Sequence, residues 1–210
     1  METVTYYLTN PSALIYVTAS ALLYPVIITE VALLVLAVFE AGRFTAEMLA
    51  RGRRRSLDTL REHATAAGVA LASADLDAAI EHLHQAIGGS RYGRRFIRRL
   101  TPEHLERVHA LKAVDETEGE IRRRLERTRM LVRLGPTLGL MGTLIPISPA
   151  LVALAGGDVQ TLSDNLVIAF STTVVGLLIG GIGHVVSTVR ERVYLDEVAD
   201  IEYALEITGL

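Results

Sequence analysis

Thr143, Thr172 and Thr173 are hydroxyl-bearing residues set inside long apolar runs. A hydroxyl both donates and accepts, which suits it to orienting water or a carboxyl group in such surroundings. Thr143 stands just before Pro146 and Pro149. Each proline removes a backbone donor and releases a carbonyl, at Gly142 and Ile145, in the middle of an apolar helix, where a Thr, a water or another chain must supply the missing donor. Thr172 and Thr173 fall at the matching depth of the next apolar run, so hydroxyls from two helices can meet there. The competing fate of each is a bond to its own i−4 carbonyl, which is frequent in membrane helices.

Three ionisable residues accompany them. Glu30 lies near the middle of the first apolar run, where a charged carboxylate is costly unless protonated or paired. It therefore either faces the interior of an oligomer or lies nearer an interface than its position suggests. His184, beside Gly183 in the last run, is placed either to receive protons or to hydrogen-bond within the packing. Asp164 stands at the mouth of that run. Glu81, His82 and His84 resemble a metal cluster only superficially, because i,i+2 histidines on a helix point to different faces, and no metal site is expected there. Arg94, Arg95, Arg98 and Arg99 surround Phe96; flanking a membrane, such a patch marks topology rather than a nucleic-acid site. The chain has no cysteine, which removes disulfides, thiolate ligands and Cys nucleophiles. Neither a phosphate loop, a nucleophile elbow nor a paired-carboxylate arrangement occurs, so neither an enzyme nor a cofactor is expected.

The elements that must position these residues follow from composition. Half of the 210 residues are hydrophobic and mean hydropathy is +0.34, yet 21% are charged, which fits a chain segregated into lipid-facing and water-facing stretches. Residues 13–39, 134–155 and 166–189 are each long enough to cross about 30 Å of hydrocarbon as a helix. Of the 21 Lys and Arg residues, 19 lie between Arg43 and Arg133 and none precedes Arg43. The positive-inside rule then puts 1–12 and the turn 156–165 outside, and 40–133 and the tail 190–210 in the cytoplasm. The expected fold class is all-α: a polytopic protein of the cell (inner) membrane with three transmembrane helices and long cytoplasmic helical extensions. The first span is read as retained, because no basic segment precedes it.

Local signals fill in the segment 40–133. Glu47 and Arg51 are spaced for an i,i+4 contact before the Arg51-Gly52-Arg53-Arg54-Arg55 run breaks the helix. Ser56 and Asp75 are N-caps for two short amphipathic helices, the second ending at Gly88-Gly89. Thr101-Pro102-Glu103 reads as the start of a long helix running without interruption into the second span. The third helix is expected to continue past Val189 as an amphipathic tail carrying Val193, Ile201 and Leu205 inward. The sequence shows no strand pattern and no repeat.

In the second span Gly135, Gly139, Gly142, Pro146, Pro149 and Ala153 recur at steps of four and three, and in the third Ala169, Thr173, Gly176, Gly180, Gly183 and Ser187 do the same. Each set lies along one helical face and lets two backbones approach closely, which is what drives helix association where apolar burial gives no advantage.

At these residues the chain resembles a family. Residues 135–143, GPTLGLMGT, look like the P-x-L-G-L-x-G-T segment of the MotA/TolQ/ExbB proton-channel family, and residues 169–177, AFSTTVVGL, resemble its A-L-x-x-T-x-x-G-L segment. The order of elements agrees with the three-span TolQ and ExbB branch. Three positions depart from the pattern: Ile168 stands where the family often has an acid, the proline after the Gly-Leu step is absent, and Pro146-Ile-Ser-Pro149 is unusual.

The resemblance implies a homopentamer surrounding a dimer of a single-span ExbD/TolR/MotB-like partner whose membrane aspartate carries protons, with family threonines at Thr143 and Thr173 lining the route. Nothing in the second and third spans supplies a carboxylate or Lys, so a proton carrier would have to come from elsewhere. Two threonines offer too few oxygens for Na⁺, which favours H⁺. The expected function is a proton-conducting stator or channel subunit of an ion-motive-force-driven complex, in contact with lipid and without nucleic acid. The alternative is a scaffold that oligomerises through the small-residue hairpin and recruits a cytoplasmic partner.

Overall fold

The computed structural model describes residues 11–51, 56–100 and 107–210. Most of the expected external segment 1–12, the run Arg53-Arg54-Arg55 and the proposed cap Thr101-Pro102-Glu103 lie outside the described residues. Among those described the chain is helical throughout: α1 Pro11–Ala21, α2 Leu23–Leu49, α3 Leu57–Ala72, α4 Leu76–Ile87, α5 Arg91–Ile97, α6 Arg107–Ala155 and α7 Val159–Thr208. Three helical stretches, Val17–Leu49, Arg107–Ala155 and Val159–Thr208, contain windows long and apolar enough to cross a membrane.

The first of these is interrupted once. Pro25 has no N–H to offer the carbonyl of Ala21, and Leu22 closes a turn by donating to Ala19 O at 3.1 Å, which separates α1 from α2. By contrast α6 carries Pro136, Pro146 and Pro149 without ending. Packing on neighbouring helices retains a helix that its propensity alone would break.

Contacts divide the chain into two units. One holds the described residues up to Gly42 with Thr128–Val186; the other holds Arg43–Arg127 with Ser187–Leu210. In the first, α6 and α7 form a hairpin turning at Gly156–Asp158. Gly157 there has φ +76°, a conformation that only glycine adopts without strain. Asp158 then caps α7, accepting from the Thr161 amide at 3.0 Å and from its hydroxyl at 2.6 Å. Along α2, Val26, Glu30 and Ala37 are buried at spacings of four and seven while Ile28, Val31, Val35 and Val38 are exposed, so one face packs and the other is free to meet lipid. Ala37, Leu131 and Ile179 form the apolar contact among the three helices.

The second unit is a water-soluble-type core. Ser56 caps α3 by accepting from Thr59, and Asp75 caps α4 by accepting from Ala78. Helix α5, capped by Ser90, was not anticipated from the sequence; its Tyr92, Phe96 and Ile97 are buried. Together with Leu83, Ala113, Ile121, Tyr194, Ile201 and Leu205 they make one continuous cluster. Two charge pairings differ from the sequence expectation. Glu47 does not pair with Arg51: it binds Arg124 at 2.9 Å, while Arg51 binds Glu197. Of the four arginines around Phe96, Arg95 reaches Glu120 at 2.5 Å and Arg99 reaches the same carboxylate and the Thr117 hydroxyl.

Candidate ion pathway

The hairpin is held by backbone approach. A methyl group at Gly142 would stand 2.5 Å from Thr172 Oγ1; at Gly139, 3.2 Å from Gly176 Cα; at Gly135, 2.8 Å from Gly180 N; and at Gly183, 2.9 Å from Leu131 Cβ. From Leu131 to Gly142 along α6 and from Gly183 back to Thr172 along α7 the pairs advance in steps of three or four over eleven residues each, the register of an antiparallel pair in which small residues meet. At Gly176 a methyl would lie 2.5 Å from Gly135 O and 2.7 Å from Gly139 Cα. Both obstacles are backbone, so no rotamer change relieves them.

Within that seam the threonines are not equivalent. Thr172 is buried and lies against Gly142, whereas Thr173 is half-buried, with its Cα beside Gly139. The sequence pattern had placed Thr173 in the small stripe; the structure gives the place opposite Gly142 to its neighbour. Each hydroxyl spends its one proton on its own helix: Thr143 on Leu140 O at 2.7 Å, Thr172 on Ala169 O at 2.9 Å and Thr173 on Ala169 O at 3.2 Å. Thr143 therefore does not donate to the carbonyls released by Pro146 and Pro149. What the three oxygens retain is acceptor capacity, usable toward a proton-bearing group. Pro146 is buried and Pro149 half-buried.

Glu30 is 2% exposed and lies against the hairpin of its own chain. Its carboxyl meets the backbone of Gly176, and its Oε1 is buried with no hydrogen-bond partner. Burial inside the subunit is a third possibility beside the two that the sequence offered. An ionised carboxylate at the centre of a span costs about 2.5–3.5 kcal/mol or more. Asp164 and His184, by contrast, are exposed; Asp164 accepts from Gln160 at 3.0 Å. The structure thus gathers Glu30, Gly139, Gly142, Thr172, Thr173 and Gly176 and leaves Asp164 and His184 outside that group. The sequence offered one signal for the placement of Glu30: its register with Val26 and Ala37.

The second unit contains an ionic cluster that the sequence did not disclose. Glu47 accepts from the Tyr194 hydroxyl at 2.8 Å and from Arg124 at 2.9 Å, with Arg190 Nε at 3.5 Å. Arg190 is 1% exposed. Glu197 accepts from the Tyr92 amide at 2.9 Å, and the Tyr92 and Tyr194 rings meet edge to face, 4.9 Å apart. Burial, followed by the hydrogen bond to Glu47 and its charge, holds the Tyr194 phenol well above its ordinary range; burial is the main cause for Tyr92. His82 is half-buried and stacks on His63 at 6.2 Å, and His84 is exposed. Among the described residues no group of His, Asp or Glu is arranged to hold a metal.

An all-α membrane protein with three transmembrane helices, long additional helical segments and a glycine-lined hairpin carrying hydroxyls is the class that these features define. Residues 77–202 match the MotA/TolQ/ExbB proton channel family, and the chain belongs to it. Both hairpin segments that carried the resemblance lie within the matched residues. No curated protein and no solved structure matches the chain.

Proposed function

We propose that this chain is the proton-conducting subunit of an ion-motive-force-driven membrane complex, in which Thr143 and Thr173, with Thr172 beside them, line the route for a proton carried by an aspartate of a single-span partner. The observation that carries this reading is the seam itself. Three threonine oxygens with spare acceptor capacity lie in a hairpin whose spans contain no carboxylate or Lys. Such a lining can guide a proton-bearing group but cannot bind the proton as a carboxylate does.

The family supports a pentamer of this chain around a dimer of the partner, with the N-terminus outside and the basic segment in the cytoplasm of an inner membrane. The exposed apolar residues Leu140, Leu144, Val174 and Leu178 on the hairpin suit contacts with lipid or with neighbouring copies. Proton passage would then drive relative motion of the pentamer and the dimer it encloses, with this chain as stator.

The test is to co-express this chain with a neighbouring single-span chain bearing a membrane Asp, reconstitute both in vesicles, and follow proton flux. Thr143→Ala and Thr173→Ala are each expected to reduce flux at least tenfold while the complex still assembles. Unchanged flux in both variants would remove the threonines from the route. Counting chains in the purified complex tests the pentamer separately.

A further inference from the structure

The seam draws on a residue outside the matched family segment. Glu30 precedes residues 77–202, on the buried stripe of α2, and its carboxyl reaches the hairpin at the backbone of Gly176. Gly176 and Gly139 meet backbone to backbone, and the Glu30 carboxyl lies against the Gly176 backbone from a third helix. A leucine at position 30 would pack at no electrostatic cost, and a glutamine would keep a polar head without a charge. A carboxyl with a buried, unpartnered Oε1 is an expensive way to pack a span.

Among the described residues no counter-ion accounts for it. On α2 the next ionisable group is Glu40, ten residues on. On α7 Asp164 and His184 stand twelve and eight residues from Gly176, about 18 Å and 12 Å along the axis. On α6 the nearest is Arg133, six residues before Gly139, about 9 Å along its axis.

We propose that Glu30 is a proton-binding site of the subunit's own, a neutral carboxylic acid lodged against the Gly176 backbone that releases and regains its proton as ions pass. The step is a proton transfer from the carboxylic acid to water, which leaves a carboxylate and a hydronium ion. Uptake of a proton from the other side restores the acid. A carboxylate at this place has no fixed partner, so it is short-lived, as a relay group must be. This inference rests on the proton-channel reading and adds a carboxyl group that the two hairpin spans lack.

The full chain, reconstituted in vesicles with its single-span partner, is treated with N,N′-dicyclohexylcarbodiimide, a lipophilic reagent that adds to protonated carboxyl groups in membranes. Peptide mass mapping is expected to find the adduct at Glu30 and not at the exposed Asp164. Absence of the adduct would overturn the proposal. In untreated vesicles Glu30→Gln is expected to lower proton flux at least tenfold at unchanged assembly. Glu30→Asp is expected to keep part of the flux, with its pH dependence displaced from that of the wild type. Wild-type flux in Glu30→Gln would overturn the role of Glu30 while leaving the channel reading standing. Should Glu30→Gln fail to assemble, Glu30→Asp decides, and a pH profile identical to the wild type overturns the proposal. Absence of flux in the wild-type complex would overturn the channel reading, and this inference with it.

Discussion

Tyr194 donates a 2.8 Å hydrogen bond to Glu47 across 147 residues of chain, and that carboxylate is shared with Arg124 at 2.9 Å and Arg190 at 3.5 Å. With Arg91 at 3.9 Å, one acid therefore serves a phenol and three guanidiniums, in a core where the Arg190 side chain is almost wholly withdrawn from water.

Removal of Glu47 should be the most damaging single change in that unit. Glu47→Ala leaves buried guanidinium charge without its carboxylate, and breaking such a pair from one side costs about 3–5 kcal/mol. Thermal melts of the purified protein in detergent, followed by far-UV circular dichroism, should show an early transition. Glu47→Gln keeps an acceptor for Tyr194 and should fall between the variant and the wild type. Wild-type melting of Glu47→Ala would show that the cluster contributes no net stability.

Alkaline pH should loosen the same cluster through Tyr194. Its phenol titrates above the ordinary value of 10, chiefly from burial and then from Glu47. A raised value in the folded state means that the stabilisation is complete below the unfolded value and is lost as pH rises through the folded one. Stability should therefore decline above about pH 10, the ordinary phenol value. Absorbance titration should find tyrosines that ionise only on unfolding. Tyr194→Phe should flatten the decline, at a cost of about 1.5–3 kcal/mol for the lost bond to a charged acceptor.

On the acid side Glu120 contributes. Burial acts against its charged form, but the Arg95 hydrogen bond and the Arg99 charge outweigh it, and the carboxyl lies below its ordinary 4.5. A lowered value contributes stability above the unfolded value and loses it as pH falls through the folded one. The pair is partly exposed, so the contribution is about 1 kcal/mol or less and weakens with salt. Denaturant midpoints at pH 6 and pH 3 should differ less in Glu120→Gln than in the wild type.

Two glycines six positions or fewer apart in α7 should behave oppositely. Gly176→Ala drives a methyl into the backbone of Gly135 and Gly139, whereas Gly181→Ala meets nothing within 4 Å. The first should destabilise the hairpin by about 1–3 kcal/mol. The second should be neutral or slightly stabilising, because alanine favours a helix by about 1 kcal/mol over glycine. Protease resistance in detergent, compared between the two, checks the contrast.

Sequence determined the three spans of this protein and the caps at Ser56 and Asp75. Hydrocarbon thickness sets the length of a span, and the period of a helix sets which residues share a face; both act locally, so the three spans, Ser56, Asp75 and the two small-residue stripes are readable from spacing. The motif residues 135–143 and 169–177 also sufficed to place the family. Short helix α5 was missed because seven residues carry too little periodicity to stand out, although Ser90 was its one signal. Tertiary structure alone decided which of two adjacent threonines faces Gly142, because a rotation of one residue on α7 exchanges them without changing the pattern. It also decided that Glu47 serves Tyr194 and Arg124 rather than Arg51, and that Glu30 is buried inside its own subunit. Such pairings join segments 77 to 147 residues apart, and no local spacing encodes which of several arginines or backbones a carboxylate will meet.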